Sequence, residues 1–247
     1  MSLRARRREA GDGSGVLEAR QLFGGYGGDD ILKGVSLKAA PDRITVIVGP
    51  NGAGKSTAMK ALFGFVALRA GEIHFDGVRI DGLPPEDLPA RGLGYVPQER
   101  NVFPSLSIEE NLEMGGILRP KARGAALERV YGFFPVLRER RTTPAGALSG
   151  GQRQMLAVGR ALMLEPRLLM LDEPTAGLAP KVIDEMLDLI RAIHKTGVGI
   201  LMVEQNARQA LEMATHGFVL VNGADRYSGA AASLLGDEEV LQAFLGG

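Results

Sequence analysis

Eight residues do most to limit what this chain can fold into. Gly49-Pro50-Asn51-Gly52-Ala53-Gly54-Lys55-Ser56 fits the pattern G-x-x-x-x-G-K-[ST]. Residues 43–48 before it are mostly apolar and β-branched, which predicts a buried strand. Residues 54–63 after it predict a helix. In a strand-loop-helix unit of this kind the glycines let the backbone curl, so that successive N–H groups point at phosphate oxygens. The helix adds the positive end of its dipole. Lys55 is expected to neutralise charge on the β/γ-phosphates, Ser56 to place its hydroxyl on Mg²⁺, and Thr57 to complete the binding segment.

A second motif points the same way. Leu168-Leu169-Met170-Leu171 suits a strand buried on both faces, and it ends in Asp172-Glu173. The carboxyl ends of such strands are where α/β sheets hold ligands. Asp172 is the candidate to hold Mg²⁺, as the acidic strand residue does in P-loop ATPases. Glu173 is the candidate to orient the attacking water or accept its proton.

Between these motifs lies Leu148-Ser149-Gly150-Gly151-Gln152, leading into a stretch with apolar residues at helical spacing. Ser149 sits at a predicted N-cap, and the two glycines expose backbone N–H groups. The chain already has one anion-binding helix start. The second is therefore expected to serve the γ-phosphate of a nucleotide held by another subunit, with Ser149, Gly150, Gly151 and Gln152 binding in trans. An ordinary serine-capped helix is the alternative.

Together these motifs resemble the ATP-binding subunits of ABC transporters, from Val16 to Gly247. The resemblance implies ATP and Mg²⁺ as cofactors and ATP hydrolysis as the reaction. It implies an α/β fold: a P-loop ATPase core with a mostly parallel sheet, a small antiparallel β layer and an inserted α-helical subdomain. It makes Tyr26 the aromatic that stacks on adenine. It makes Gln98, in Tyr95-Val96-Pro97-Gln98, the glutamine that joins Mg²⁺ and the attacking water to the membrane partner. The implied partners are a second ATPase subunit, two membrane permease subunits and an extracytoplasmic substrate-binding protein. The implied location is the cytoplasmic face of the membrane.

Two positions depart from the general family pattern. Ala179-Pro180 stands where the family usually has Asp after Gly177-Leu178, and Gln205 replaces the usual switch histidine in Val203-Glu204-Gln205-Asn206-Ala207. Both segments resemble the LivF-type ATPases of branched-chain amino-acid importers, as do Tyr131-Gly132-Phe133-Phe134-Pro135 and Val102-Phe103-Pro104-Ser105-Leu106. Gln205 donates neutral hydrogen bonds but cannot titrate, so the site on this chain's own phosphate loop is expected to hydrolyse ATP more slowly than a histidine-bearing one. The competing readings are a urea or amide importer, a soluble non-transport ABC ATPase, and a regulatory nucleotide-binding subunit without turnover.

The rest of the chain bounds these readings. Its 247 residues, 45% hydrophobic, can bury one sizeable core. Twenty-nine basic and 29 acidic residues cancel, which leaves no global field favouring nucleic acid. There is no cysteine, and no run approaches the ~20 apolar residues of a membrane span. His74, His194 and His216 share no metal-ligand spacing and read as structural. Residues 1–15, with Arg4, Arg6, Arg7 and Arg8, read as a disordered tail before an ATP-binding domain over 16–247.

Residues 16–23 and 31–38 alternate like antiparallel strands, and 72–75 and 78–80 form another pair turned at Asp76-Gly77. The helical subdomain spans about 98–146, with Ser107 and Glu110 boxing the start of one helix and a second helix over 125–139. By the resemblance, Phe103 and Pro104 in this arm are candidate contacts to the membrane subunits. Further helices are expected over 181–194, 207–214 and 237–244.

Overall fold

A computed structural model of the chain describes residues 16–240. The expected tail lies outside those residues, as does most of the last expected helix, of which only its first turn, 238–240, is described.

The chain begins with an antiparallel pair, β1 (Leu17–Gly24) and β2 (Leu32–Ala39), followed by β3 (Ile44–Val48) and α1 (Lys55–Leu62). Next come β4 (Leu68–Phe75), β5 (Val78–Arg79) and β6 (Leu93–Val96). A helical stretch holds α2 (Ile108–Gly115), α3 (Arg123–Phe133), α4 (Pro135–Glu139) and α5 (Gly150–Leu162). Strands and helices then alternate: β7 (Leu168–Asp172), α6 (Pro180–His194), β8 (Gly199–Val203), α7 (Ala207–Met213), β9 (His216–Val221), β10 (Ala224–Ala230) and α8 (Ala231–Leu235).

Two sheets result. The larger has the order β10-β9-β3-β8-β7-β6, parallel throughout except for the β9–β10 hairpin at its edge. The smaller is antiparallel, β2-β1-β4-β5. The expected α/β class with its two kinds of sheet is thus observed. Because successive strand residues face opposite ways, each central strand feeds two cores. Val46, Leu169 and Leu171 pack under the helical layer, with Leu112, Val130, Phe134 and Leu156. Ile47, Leu168 and Met170 pack on the other side, with α1 and the small sheet, against Met59, Leu62, Leu22 and Ile73.

Local chemistry sets the helix starts. Ser107 and Glu110 form the expected capping box on α2. The single helix expected over 125–139 is overturned, because Phe134 leaves the helical region (φ −127°, ψ 71°) and splits it into α3 and α4. Pro135 causes the break: its ring crowds the residue before it out of the α region. The buried ring of Phe134 then fills the core beneath α5. Strands β6 and β10 were not foreseen from the sequence.

Candidate functional site

The phosphate loop leaves β3 between β8 and β9, near the middle of the parallel sheet. Asp172 ends β7, and Gln205 lies two residues beyond β8. These groups therefore share the carboxyl edge of the sheet, where such folds hold ligands.

Gly54 caps α1 in the left-handed region (φ +97°), a conformation that costs an L side chain energy. Lys55 is 5% exposed, and its Nζ donates to the carbonyls of Gly49 (2.9 Å) and Pro50 (3.1 Å). Burial lowers its pKa, while Glu173, Asp172 and Glu204 oppose that shift. Asn51 and Gly52 stand exposed at the loop tip, and Thr57 is buried in α1. A second glycine closes the loop from behind. In the β9–β10 turn, the Gly223 N–H donates to Ala53 O (3.0 Å), and its carbonyl accepts from Lys33 N (2.7 Å). With φ +83°, a Cβ on Gly223 would lie 1.9 Å from Ile31 O, so no larger residue fits without moving the loop.

Asp172 is 2% exposed. Its Oδ2 accepts from the Tyr95 hydroxyl at 3.2 Å, and its buried Oδ1 lacks a hydrogen-bond partner of good geometry. Burial raises its pKa against the pull of Ser56, Tyr95 and the lysines. Burial and the neighbouring carboxylate push Tyr95 far upward, so its hydroxyl stays a neutral donor. A buried carboxylate with one uncommitted oxygen, beside a serine hydroxyl, is an all-oxygen donor set that fits a hard divalent cation. Among the described residues no group of three His, Cys, Asp or Glu could hold a metal ion, so the hydroxyl and the phosphates would have to supply the remaining oxygens.

Glu173 follows in a left-handed conformation (φ +48°) that a non-glycine residue adopts at a cost of about 1–3 kcal/mol. Its N–H donates to Val203 O at 3.0 Å, and its Oε2 accepts from Gln98 Nε2 at 2.9 Å. The fold thus brings Gln98 and Glu173 into direct contact. Gln205 reaches back to the phosphate loop, with Nε2 donating to Asn51 Oδ1 at 3.3 Å.

Sequence reasoning missed Glu204. It is 4% exposed, and its Oε1 accepts from both the Thr175 N–H (3.1 Å) and hydroxyl (2.8 Å). Its Oε2 accepts from Gln205 N at 3.3 Å. The carboxylate therefore ties the turn after Glu173 to the end of β8. Burial raises its pKa. A glutamate directly after four buried apolar strand residues was the available signal.

Tyr26 stands 55% exposed in the turn between β1 and β2. Ser149 and Gly150 are exposed at the start of α5, well apart in sequence from the phosphate loop. Ser149 Oγ accepts from Gln152 N while Gln152 Oε1 accepts from Ser149 N, which completes a capping box. The same Oε1 accepts from Arg140 Nη1 at 2.9 Å, so the Gln152 amide is engaged within its own chain. Ala179 caps α6 with no side-chain acceptor, where an aspartate would supply one. The histidines behave structurally: His194 Nδ1 bonds Val198 O (3.0 Å), His74 sits 3.8 Å from Glu72, and His216 packs edge-on to Phe218.

Comparison with known proteins fits this geometry. Residues 32–176 match the ABC transporter family. The chain is 41% identical to the high-affinity branched-chain amino acid transport ATP-binding protein BraG of Pseudomonas aeruginosa, over 90% of this chain and 96% of the relative. It is 38% identical to a probable branched-chain amino acid transport ATP-binding protein, LivF, of Archaeoglobus fulgidus (91% and 96% covered). Its identity to the lipopolysaccharide export system ATP-binding protein LptB of Haemophilus influenzae is 32% (94% and 97% covered). The ADP conformation of MJ1267, an ATP-binding cassette of an ABC transporter, superposes with a TM-score of 0.85 at 26% identity, over 94% of this chain and 99% of that one. The chain therefore belongs to the ABC transporter family, as one of its ATP-binding and ATP-hydrolysing subunits.

Proposed function

We propose that this subunit powers import of branched-chain amino acids through a membrane permease, at the cytoplasmic face of the membrane. The observation that carries this reading is the pairing of Ala179-Pro180 with Gln205 in a chain 41% identical to BraG. Among the described residues no helix is long and apolar enough to cross a membrane, so membrane contact goes through partners.

The residues divide the work of hydrolysis. The backbone N–H groups of the Gly49 to Thr57 segment, Pro50 having none, cradle the phosphates, Lys55 neutralises their charge, and Tyr26 stacks on adenine. Ser56, Asp172 and Gln98 would hold Mg²⁺, which would supply positive charge to offset that of the phosphates. Glu173 orients the attacking water or takes its proton, held in place by Gln98. Gln205 contributes a neutral hydrogen bond only. Ser149, Gly150, Gly151 and Gln152 complete the site of a second, different ATPase subunit, the glycines by presenting N–H groups, Ser149 by its hydroxyl and Gln152 by bracing the turn.

The permeases need a surface, and the helical side offers one. A groove of about 440 Å³ runs between the sheet and α5, lined by Phe63, Phe65, Tyr95, Gly115 and Arg160 among others. Around it Phe65, Phe103, Met114, Ile117 and Leu118 are all exposed, an unusual concentration of apolar surface. Phe103 also packs under the Arg160 guanidinium at 4.9 Å. This groove, with Phe103 and Pro104 at its rim, is the permease dock. Within the domain over 16–247 the groove lies where the core meets the helical subdomain of about 98–146, which contributes Asn101 and Gly115 to its wall.

The test is reconstitution with two permease subunits, a partner ATPase and a binding protein in vesicles. ATP-dependent leucine uptake is expected, with none in Lys55→Ala. Uptake of urea instead, or no import while another cargo moves outward, refutes the substrate reading.

A further inference from the structure

One aromatic side chain belongs both to the groove and to the nucleotide site. Tyr95 lies in the groove wall, its ring stacked on Phe63 (centroids 5.1 Å apart, planes at 26°) and tilted against Phe65 (5.5 Å). Phe63 and Phe65 themselves lie 5.4 Å apart. Phe65 is 53% exposed at the surface, Phe63 only 5% and Tyr95 half-buried, so three mutually touching rings link the exposed edge of the groove to its wall. Tyr95 carries the hydroxyl that donates to Asp172 Oδ2.

This bond matters because of what it leaves. An aspartate χ2 is broad and roughly two-fold, so a free carboxylate turns between orientations. Tyr95 holds one oxygen of Asp172 and leaves Oδ1 as the uncommitted one. A cation binding there meets a carboxylate already fixed, which saves the cost of ordering it. The route differs from that of Gln98, which acts on Glu173.

We propose that Tyr95 is a positioning residue that ties occupancy of the groove to the metal-holding carboxylate. A partner segment pressing on Phe65 moves the ring stack and, through the Tyr95 hydroxyl, sets Asp172. The proposal rests on the groove being the permease dock, and it adds the path by which docking reaches the metal site.

Tyr95→Phe keeps the ring and the stack while removing only the hydroxyl. In the free subunit with ATP, Mn²⁺ affinity measured by electron paramagnetic resonance is expected to fall about fivefold, the loss of one ordinary hydrogen bond. ATP affinity without metal should stay unchanged. In the assembled transporter, Tyr95→Phe should still co-elute with the permeases, while the ratio of assembled to free hydrolysis rates falls toward one. Unchanged Mn²⁺ affinity overturns the Tyr95–Asp172 link. A wild-type rate ratio in the variant overturns the coupling, even with weakened Mn²⁺ binding. If the wild-type subunit does not co-elute with permeases, the dock reading fails and the coupling with it, while the Mn²⁺ titration still judges the link alone.

Discussion

Replacing Glu204 separates two demands placed on one buried carboxylate. In Glu204→Ala the Thr175 N–H, at a residue 7% exposed, loses its acceptor, and the hydroxyl loses its own. An unsatisfied buried donor costs about 1–3 kcal/mol. Relief of the carboxylate's desolvation offsets part of this, so a net loss of about 1–3 kcal/mol is expected. Glu204→Gln behaves differently, because both Thr175 bonds fall on the same oxygen, Oε1, which the amide retains. That variant loses only the long bond from Gln205 N to Oε2 and should lie within about 1 kcal/mol of wild type at pH 7.

The two also differ in pH dependence. Burial raises the folded-state pKa of Glu204 above its ordinary value of 4.5. Its contribution to stability is therefore full below that value and declines as pH rises through the folded pKa. Glu204→Gln removes this decline. Urea unfolding followed by circular dichroism at several pH values between 4.5 and 8, without nucleotide, measures both effects. The reasoning fails if Glu204→Ala costs less than about 0.5 kcal/mol, below the smallest loss expected for an orphaned buried donor. It fails equally if Glu204→Gln keeps the wild-type pH slope.

Other variants test other parts of the site. Gln205→His supplies a titratable donor beside the γ-phosphate position and should raise single-turnover hydrolysis at this site by about tenfold or more. An unchanged rate would show that the glutamine does not limit turnover. Glu173→Gln should bind ATP and accumulate an ATP-bound dimer on gel filtration; a monomer with wild-type turnover refutes its catalytic role. Ser149→Ala removes half of a capping box and should cost about 1 kcal/mol in thermal unfolding. In a mixed dimer it should slow hydrolysis at the partner's phosphate loop more than at Lys55, and equal slowing refutes action in trans.

Much of the architecture was legible because local signals agreed. Four buried apolar residues before Asp172, the β-branched run before Gly49 and the Ser107–Glu110 box each predicted the element found. Strand β10 was hidden because Ala224-Asp225-Arg226-Tyr227-Ser228-Gly229-Ala230 has no apolar alternation, and pairing with β9 makes it a strand. The Asn222-Gly223 pair ahead of it was a usable turn signal. Likewise, Pro135 carried the information that splits α3 from α4. The links that assemble the site were beyond local reading. Tyr95 meets Asp172 across 77 residues of chain, and Thr175 meets Glu204 across 29.

The Gly223 bridge has a consequence for the order in which this protein becomes competent during synthesis. The nucleotide motif is complete in sequence once residue 57 has been added. Its closure, however, needs the Gly223 amide on Ala53 and the Gly223 carbonyl on Lys33. A ribosome-bound chain that has not yet extruded Gly223 therefore carries every residue of the motif without the fastening that shapes it. ATP capture by nascent chains should begin only when this late hairpin has left the exit tunnel, and arrested chains of increasing length would show it as a step rather than a gradual rise.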